Sequence, residues 1–464
     1  MKFIVNNRIT VEYFAPDLLD WCKQNLVLDN PEYQKKERMG LWLGSTPRKF
    51  ALYSVSGDYI YLPFGCLDYV WQRYGKHCKF ERRISDLRQI RYHSNINLYQ
   101  YQQKAVEKAL LAKNGIIVMP CGAGKTQTAL ELIARIGGKA LWLTHTQDLL
   151  NQSMNRAKSV YDLPASMFGT ITGGKVNISA GITFATVQTM SKLDLMQYRN
   201  DFDIVVVDEC HKAVGTPTKV MQFYKVLSNL SCRYKFGITA TPKRADGLEQ
   251  SMFALLGGII HEVSREAVAD TTCPVKVQQI ETGYMPDYDK ILMGDGTINY
   301  AGLVEDLITN EDRYNVVFGE ILIRCKDATI VLANRVEYLK HMNADMIGCG
   351  KKSICLSGAS QSKKAKAERK EALQKLNEGE LDCIFATYAL AREGLDVPNL
   401  RYVVFATPEK DPTTIEQASG RVGRKADGKP YGTVIDFVDE FCMYKSWYKK
   451  RLSVYKKIDA EVME

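Results

Sequence analysis

The chain has 464 residues, 45% hydrophobic and 25% charged, which excludes a disordered, collagen-like or coiled-coil polypeptide and predicts about two to four domains. Lys and Arg outnumber Asp and Glu by 62 to 53, and the resulting formal charge of +9 permits a polyanionic partner without demanding one. No apolar run nears the roughly 18 residues of a membrane helix, Met1–Arg8 carries no leader-like apolar core, and the 12 cysteines include no Cys-x-x-Cys pair. The expectation is therefore a cytoplasmic protein with reduced thiols and no membrane partner.

Residues 1–92 read as a small α+β accessory block. Ile60-Tyr61-Leu62-Pro63-Phe64-Gly65 ends a strand with turn punctuation. The block holds 15 Lys/Arg against 10 Asp/Glu, a net +5. Aromatics lie among these charges: Tyr33, Trp42, Phe50, Tyr53, Tyr59, Tyr61, Trp71 and Tyr74. The mixture suits phosphate neutralisation with base stacking, although most of these rings are expected to fill a core.

Residues 93–262 change pattern. The short apolar runs Ile116–Met119, Ala140–Thr144, Ile182–Ala185, Ile204–Val207 and Phe236–Thr239 alternate with helical stretches such as Thr126–Ile136. Strands apolar on both faces belong to a buried parallel sheet. After an irregular stretch at about 262–300, a second set occupies the rest of 263–464: Thr329–Ala333, Ile354–Leu356, Cys383–Ala386, Tyr402–Ala406 and Thr433–Phe437. The tail, Phe441–Lys457, is helical, basic and aromatic. One stripe of it, with Trp447, Tyr448, Arg451 and Tyr455, is expected to dock, leaving Lys449, Lys450, Lys456 and Lys457 in solvent. The fold class is α/β: two tandem parallel-sheet domains behind an N-terminal α+β domain.

Two motifs carry chemistry. Met119-Pro120-Cys121-Gly122-Ala123-Gly124-Lys125-Thr126 follows an apolar strand and opens a helix. Glycines let successive N–H groups of Gly122, Ala123 and Gly124 face phosphate oxygens, and the helix start adds a favourable dipole. Lys125 then reaches the β- and γ-phosphates of a nucleoside triphosphate, while the Thr126 hydroxyl binds magnesium. The usual pattern begins with Gly or Ala where Met119 stands. The second motif, Ile204–Val207 followed by Asp208-Glu209-Cys210-His211, delivers two carboxylates to the carboxyl edge of the sheet. Asp208 is the expected magnesium holder and Glu209 the group that polarises the attacking water. His211 either relays nucleotide state or fills the loop.

These residues resemble the superfamily 2 helicases and translocases with a DExH box, and further motifs stand in that family's order over about 95–440. The resemblance implies two RecA-like domains and the use of ATP with Mg2+. Leu98-Tyr99-Gln100-Tyr101-Gln102 is similar to the glutamine motif, which makes Gln102 the reader of the adenine edge. Leu143–Leu149 and Phe184–Thr189 resemble strand-binding motifs, with Thr186, Gln188 and, in the second half, Thr387 as candidate phosphate contacts. His145 stands where a proline is common, and Cys121 where many members carry Thr. Thr239-Ala240-Thr241-Pro242 resembles the motif that couples hydrolysis to movement. Ala386–Pro398 resembles the fifth motif and contributes Gly394 and Asp396 to the nucleotide. Gln417–Arg424 resembles the arginine-finger motif, and spacings of four and three are expected to set Gln417, Arg421 and Arg424 on one face of a short helix. ATP would then tie Lys125 and Asp208 to Arg421 and Arg424, and hydrolysis would release that tie.

Asn30–Tyr33, Leu41-Trp42 and Leu62–Gly65 look like the N-terminal domain of phage branch-migration and recombination helicases. That resemblance implies DNA as the track and the remodelling of branched DNA as the work, by a monomer, since one chain carries both halves of the ATP site. An RNA helicase, and a clamp that binds nucleic acid without turnover, are the alternatives. The presence of Lys125, Thr126, Asp208, Glu209, Arg421 and Arg424 disfavours the clamp.

Overall fold

The computed structural model describes residues 1–463 except 121, 214–216, 243–248, 295, 325–326, 357–362 and 393–396, with backbone alone at 212–213, 217–220, 270, 363, 366 and 392. The chain divides into two compact units, one holding residues 1–120 and 124–267, the other residues 121–123 and 268–464. No helix among the described residues is long and apolar enough to cross a membrane.

The first unit opens with strands β1 (Lys2–Val5), β2 (Ile9–Glu12), β3 (Val27–Asp29), β4 (Lys49–Ala51), β5 (Ser54–Ser56), β6 (Tyr59–Leu62) and β7 (Lys79–Arg82). Five of them form a sheet in the order β5-β6-β2-β1-β7, while β3 and β4 make a separate ribbon. Period-two alternation sends Ile9, Val11, Ile60 and Leu62 inward, where they meet Leu18 and Cys22 of the helix Pro16–Asn25 and Val70 of the helix Leu67–Tyr74. Tyr74 is buried, as expected of a core ring, but Trp42, Tyr59 and Trp71 are exposed. Phe50 and Tyr53 pack half-buried against the core, so of eight rings, most of them expected to fill a core, three face solvent.

This block is locked to the large sheet that follows it. The two share one apolar core. Lys235, wholly buried, donates from Nζ to the carbonyls of Asn7 (3.1 Å) and Leu227 (2.8 Å), and its ammonium lies 4.5 Å from the centre of the Phe64 ring. Arg199 donates to Asn7 Oδ1 (2.7 Å), and Asn7 Nδ2 donates to the Ser228 carbonyl. Gly65 meets the backbone of the helix Glu249–Leu256 so closely that a Cβ would stand 2.3 Å from the Phe253 carbonyl oxygen. The Leu62–Gly65 turn is therefore a docking loop.

Burial pushes the Lys235 ammonium down to about 8 from 10.5. Between those values the unfolded chain binds more protons than the folded one, so this lysine's contribution to stability rises with pH across that window. Urea unfolding at about pH 7.5 and about pH 9.5 should show the unaltered protein gaining about 2 kcal/mol on Lys235→Met at the higher pH. The constant cost of the two carbonyls that the variant leaves without Nζ cancels in that difference.

The large sheet comprises β8 (Asn114–Val118), β9 (Ala140–Thr144), β10 (Phe168–Thr172), β11 (Lys175–Asn177), β12 (Ile182–Thr186), β13 (Ile204–Asp208), β14 (Tyr234–Thr239) and β15 (Ile259–Glu262), in the order β11-β10-β12-β9-β13-β14-β8-β15. All neighbouring pairs are parallel except β10–β11. Every residue of β8, β9, β12 and β13 is buried, as continuous apolar runs require.

The second unit holds β16 (Val275–Glu281), β17 (Thr329–Ala333), β18 (Ser353–Leu356), β19 (Cys383–Thr387), β20 (Tyr402–Phe405), β21 (Gly432–Val438) and β22 (Glu461–Met463), a parallel sheet in the order β18-β19-β17-β20-β21-β16-β22. β16 lies inside the stretch expected to be irregular. Its sequence, Val-Lys-Val-Gln-Gln-Ile-Glu, mixes polar and apolar residues because its neighbour on one side is the short edge strand β22. The C-terminal helix Cys442–Lys457 docks through Tyr444, Trp447, Tyr448, Arg451, Val454 and Tyr455, with Lys449, Lys450, Lys456 and Lys457 exposed and Lys457 paired with Glu416 (2.7 Å). Arg451 is fully buried. It pairs with Asp436 (2.8 Å) and donates to the carbonyls of Glu409 (3.1 Å) and Phe437 (3.2 Å), which satisfies a charge the helix carries into the core.

Candidate functional site

Strand register gathers distant residues at one edge of the first large sheet. Val118 pairs with Thr239, Ile238 with Asp208, Val207 with Leu143, and Thr144 with Thr186. The start of the phosphate loop, Thr239, Asp208, Thr144 and Thr186 therefore stand level at the carboxyl ends of their strands, where open α/β sheets bind ligands. The Met119 N–H continues the ladder by donating to the Thr239 carbonyl (2.9 Å).

Gly122 (φ 85°) and Gly124 (φ 74°) both adopt the left-handed backbone that turns the loop, and the helix Lys125–Ile136 begins at once. Its first N–H groups can receive an anion. Lys125 and Thr126 are half-buried, and Ala123 is buried. Gln102, itself buried, accepts from the Tyr99 N–H through Oε1 (3.0 Å). Its Nε2 lies 2.4 Å from where a Cβ on Gly124 would stand. The carboxamide thus props the phosphate loop, and one of its two ends is committed to its own helix cap.

The two carboxylates split. Burial, with the negative charge of Glu209, drives Asp208 upward, and neither the charge of Lys125 nor a hydrogen bond from Ser153 Oγ (3.3 Å) offsets this. Glu209, against its own burial, is held below the usual carboxylate range by the Lys125 charge and by His211. The pair therefore carries its charge on Glu209. Glu209 also has φ 48°, a left-handed backbone that non-glycine residues seldom adopt and that clusters at functional positions. His211 Nδ1 lies 3.2 Å from Glu209 Oε2 and 2.9 Å from Thr239 Oγ1. Thr239 Oγ1 in turn accepts from the Thr241 N–H (3.1 Å). His211 thus joins the acidic strand end to the Thr239–Pro242 segment. Ser153 escaped sequence reasoning. A lone serine on the helix Gln147–Val160 has no signal beyond lying on that helix's buried face.

Thr186 is buried, and its hydroxyl donates to Thr189 Oγ1 (3.0 Å). Exposed Gln188 donates from Nε2 to the His145 carbonyl (2.8 Å), which ties together the loops after β9 and β12. In the second unit, Thr387 ends β19 beside Ala333 of β17, and Thr387 Oγ1 accepts weakly from the Leu390 N–H (3.4 Å).

The expectation of one helical face for Gln417, Arg421 and Arg424 needs correction. The helix Pro412–Val422 carries the first two, but it ends before Arg424, whose backbone forms an isolated bridge with Thr272. Gly423 supplies the exit from the helix. Arg421 Nη2 donates to the Ala391 carbonyl (2.7 Å), at the end of the helix Tyr388–Arg392. Gly394 and Asp396 lie outside the described residues.

The type III restriction enzyme res subunit family matches residues 95–244, and the helicase conserved C-terminal domain matches residues 313–426. The chain is 25% identical over 427 residues to a protein of Acanthamoeba polyphaga mimivirus named as an ATP-dependent RNA helicase, a match covering 88% of this chain and 76% of that one. It is 25% identical over 377 residues to the ATP-dependent DNA helicase uvsW of Enterobacteria phage T4, covering 78% and 72% respectively. Among solved structures, S. cerevisiae Dbp5 bound to RNA and ADP BeF3 has a similar fold, with a TM-score of 0.56 at 17% identity, covering 79% of this chain and 89% of that one.

Proposed function

The chain belongs to the superfamily 2 helicases and translocases, and from that membership we propose that it is a motor that remodels branched DNA by branch migration, fork regression or short unwinding. It is a nucleic-acid-dependent ATPase. In the proposed cycle Lys125 neutralises the β- and γ-phosphates, Glu209 polarises the attacking water, and Gln102 lies toward the base while supporting the loop. Gln417, Arg421 and Arg424 are read as the groups that answer to the γ-phosphate. Gly394 and Asp396 join them on motif grounds alone.

Asp208 and Thr126 fit the donor set of a magnesium ion, which takes one or two protein oxygens and completes its shell with phosphate and water. A buried carboxylate driven toward its neutral form is one that a dication would return to the charged form. When bound, magnesium would neutralise charge on the transferred phosphoryl group.

The observation that carries the motor reading is the edge itself, where Lys125 acts on Asp208 and Glu209, and His211 links Glu209 to Thr239. DNA is preferred over RNA because residues 1–92 resemble the phage enzymes and because the phage T4 relative is a DNA helicase. Steady-state ATP hydrolysis measured against forks, Holliday junctions, single strands and RNA duplexes tests the reading. Branched DNA should stimulate most. Stimulation by RNA alone would transfer the chain to the activity named for its mimivirus relative.

A further inference from the structure

Residues 31–47 leave the N-terminal block as a finger. Asn30, 1% exposed, closes its base. The Asn30 N–H donates to the Arg48 carbonyl (2.9 Å) and Nδ2 to the Pro47 carbonyl (2.7 Å), while Oδ1 accepts from the Glu32 N–H (3.0 Å) and caps the helix Pro31–Arg38. That helix buries no residue. Polar bonds hold the loop after it: the Leu41 N–H to the Lys36 carbonyl (2.9 Å), Lys36 Nζ to Thr46 Oγ1 (2.8 Å), and the Thr46 N–H to the Leu43 carbonyl (3.0 Å).

The finger therefore keeps its shape without a core, and it presents apolar groups at its tip. Met39, Leu41 and Trp42 are 60%, 52% and 87% exposed. Gly44 (φ 52°) curls against the indole, where a Cβ would stand 3.0 Å from the ring. Lys35, Lys36 and Arg38 on the helix and Arg48 and Lys49 at the base supply five positive charges; Lys36 pairs with Glu32 (3.2 Å) and Lys49 with Asp29 (3.7 Å), and Glu37 is the remaining acidic residue of the segment. A contiguous exposed apolar tip on a cationic stem marks a binding surface, and its charge fits a polyanion. The block that carries it is fixed to the ATP-binding sheet through Lys235, Asn7 and Gly65.

We propose that this finger is a branch-point contact, a deduction that rests on branched DNA being the substrate. Trp42 stacks on the base pair exposed where two arms diverge, and Lys35, Arg38 and Arg48 hold the flanking phosphates. An indole stacks on any base, and cations grip any backbone, so the contact reads the shape of a junction without reading its sequence.

The test uses the full chain with Trp42→Ala and Trp42→Phe, on a fork carrying 2-aminopurine at the branch-flanking pair and on a matched unbranched duplex. The unaltered protein should change the probe's fluorescence on the fork. Trp42→Ala should abolish that change and weaken fork binding by about tenfold, shift duplex binding by less than about twofold, and be largely rescued by Trp42→Phe. Equal probe signals and fork affinities in Trp42→Ala and the unaltered protein would overturn the contact, and would assign the tip to another partner such as a protein. Fork-stimulated ATPase, measured alongside, separates the two readings. If forks do not stimulate hydrolysis but the Trp42-dependent signal persists, the substrate reading fails and the contact stands. If forks stimulate and that signal is missing, the contact fails alone. Loss of both overturns both.

Discussion

Replacing Arg421 with alanine is expected to lower ATP turnover by about 10³–10⁵-fold, the range associated with removing an arginine finger, while nucleotide affinity changes by less than about threefold. The guanidinium already spends one N–H on the Ala391 carbonyl. Arginine presents five N–H groups in a fixed planar fork that matches the oxygens of a phosphoryl group. The same bond suggests the competing outcome, in which Arg421 merely pins the helix Tyr388–Arg392 to the helix Pro412–Val422. Lysine separates the two. As a point charge without the fork, Arg421→Lys should recover little turnover if the planar group stabilises a transferring phosphoryl. Single-turnover hydrolysis and nucleotide titration of both variants make the comparison, with thermal unfolding to check that each is folded.

Glu209→Gln should reduce hydrolysis by about 10²–10⁴-fold and leave ATP binding nearly unchanged. The substitution keeps the shape of the side chain and removes only the negative charge. That charge sits on Glu209 because Lys125 and His211 hold its carboxyl low while burial and Glu209 itself drive Asp208 up. The backbone strain at φ 48° belongs to the main chain and persists in the variant, so it contributes nothing to the difference. Pre-steady-state hydrolysis with saturating nucleic acid reads the effect. Turnover within about tenfold of the unaltered enzyme would remove Glu209 from the role of base.

Much of the site was legible because its chemistry is local in sequence. Gly122, Gly124, Lys125 and Thr126 must be neighbours to curl around a phosphate, and Asp208-Glu209 must end a strand to reach the sheet edge. Other parts were not legible, because they depend on what packs across from them. Gln102 was expected at a base, yet its amide also props Gly124. Arg424 was placed on a helix by spacing, but Gly423 ends that helix first. β16 hid in a stretch with loop punctuation, because a strand beside a short edge strand does not need a continuous apolar run.

By itself the sequence determined the ten continuous apolar strands of the two large sheets, the phosphate loop and the acidic strand end, since hydrophobic period and backbone-permissive residues act over a few positions. Only the tertiary structure decided that His211 would bridge Glu209 and Thr239, that Ser153 would reach Asp208, and that Lys235 would be sealed beneath Asn7 and Phe64. It alone turned Trp42 outward. The reason is physical: apart from Glu209 and His211, these partners lie 28 to 228 residues apart and meet through strand register and packing, and neither leaves a periodic trace along the chain.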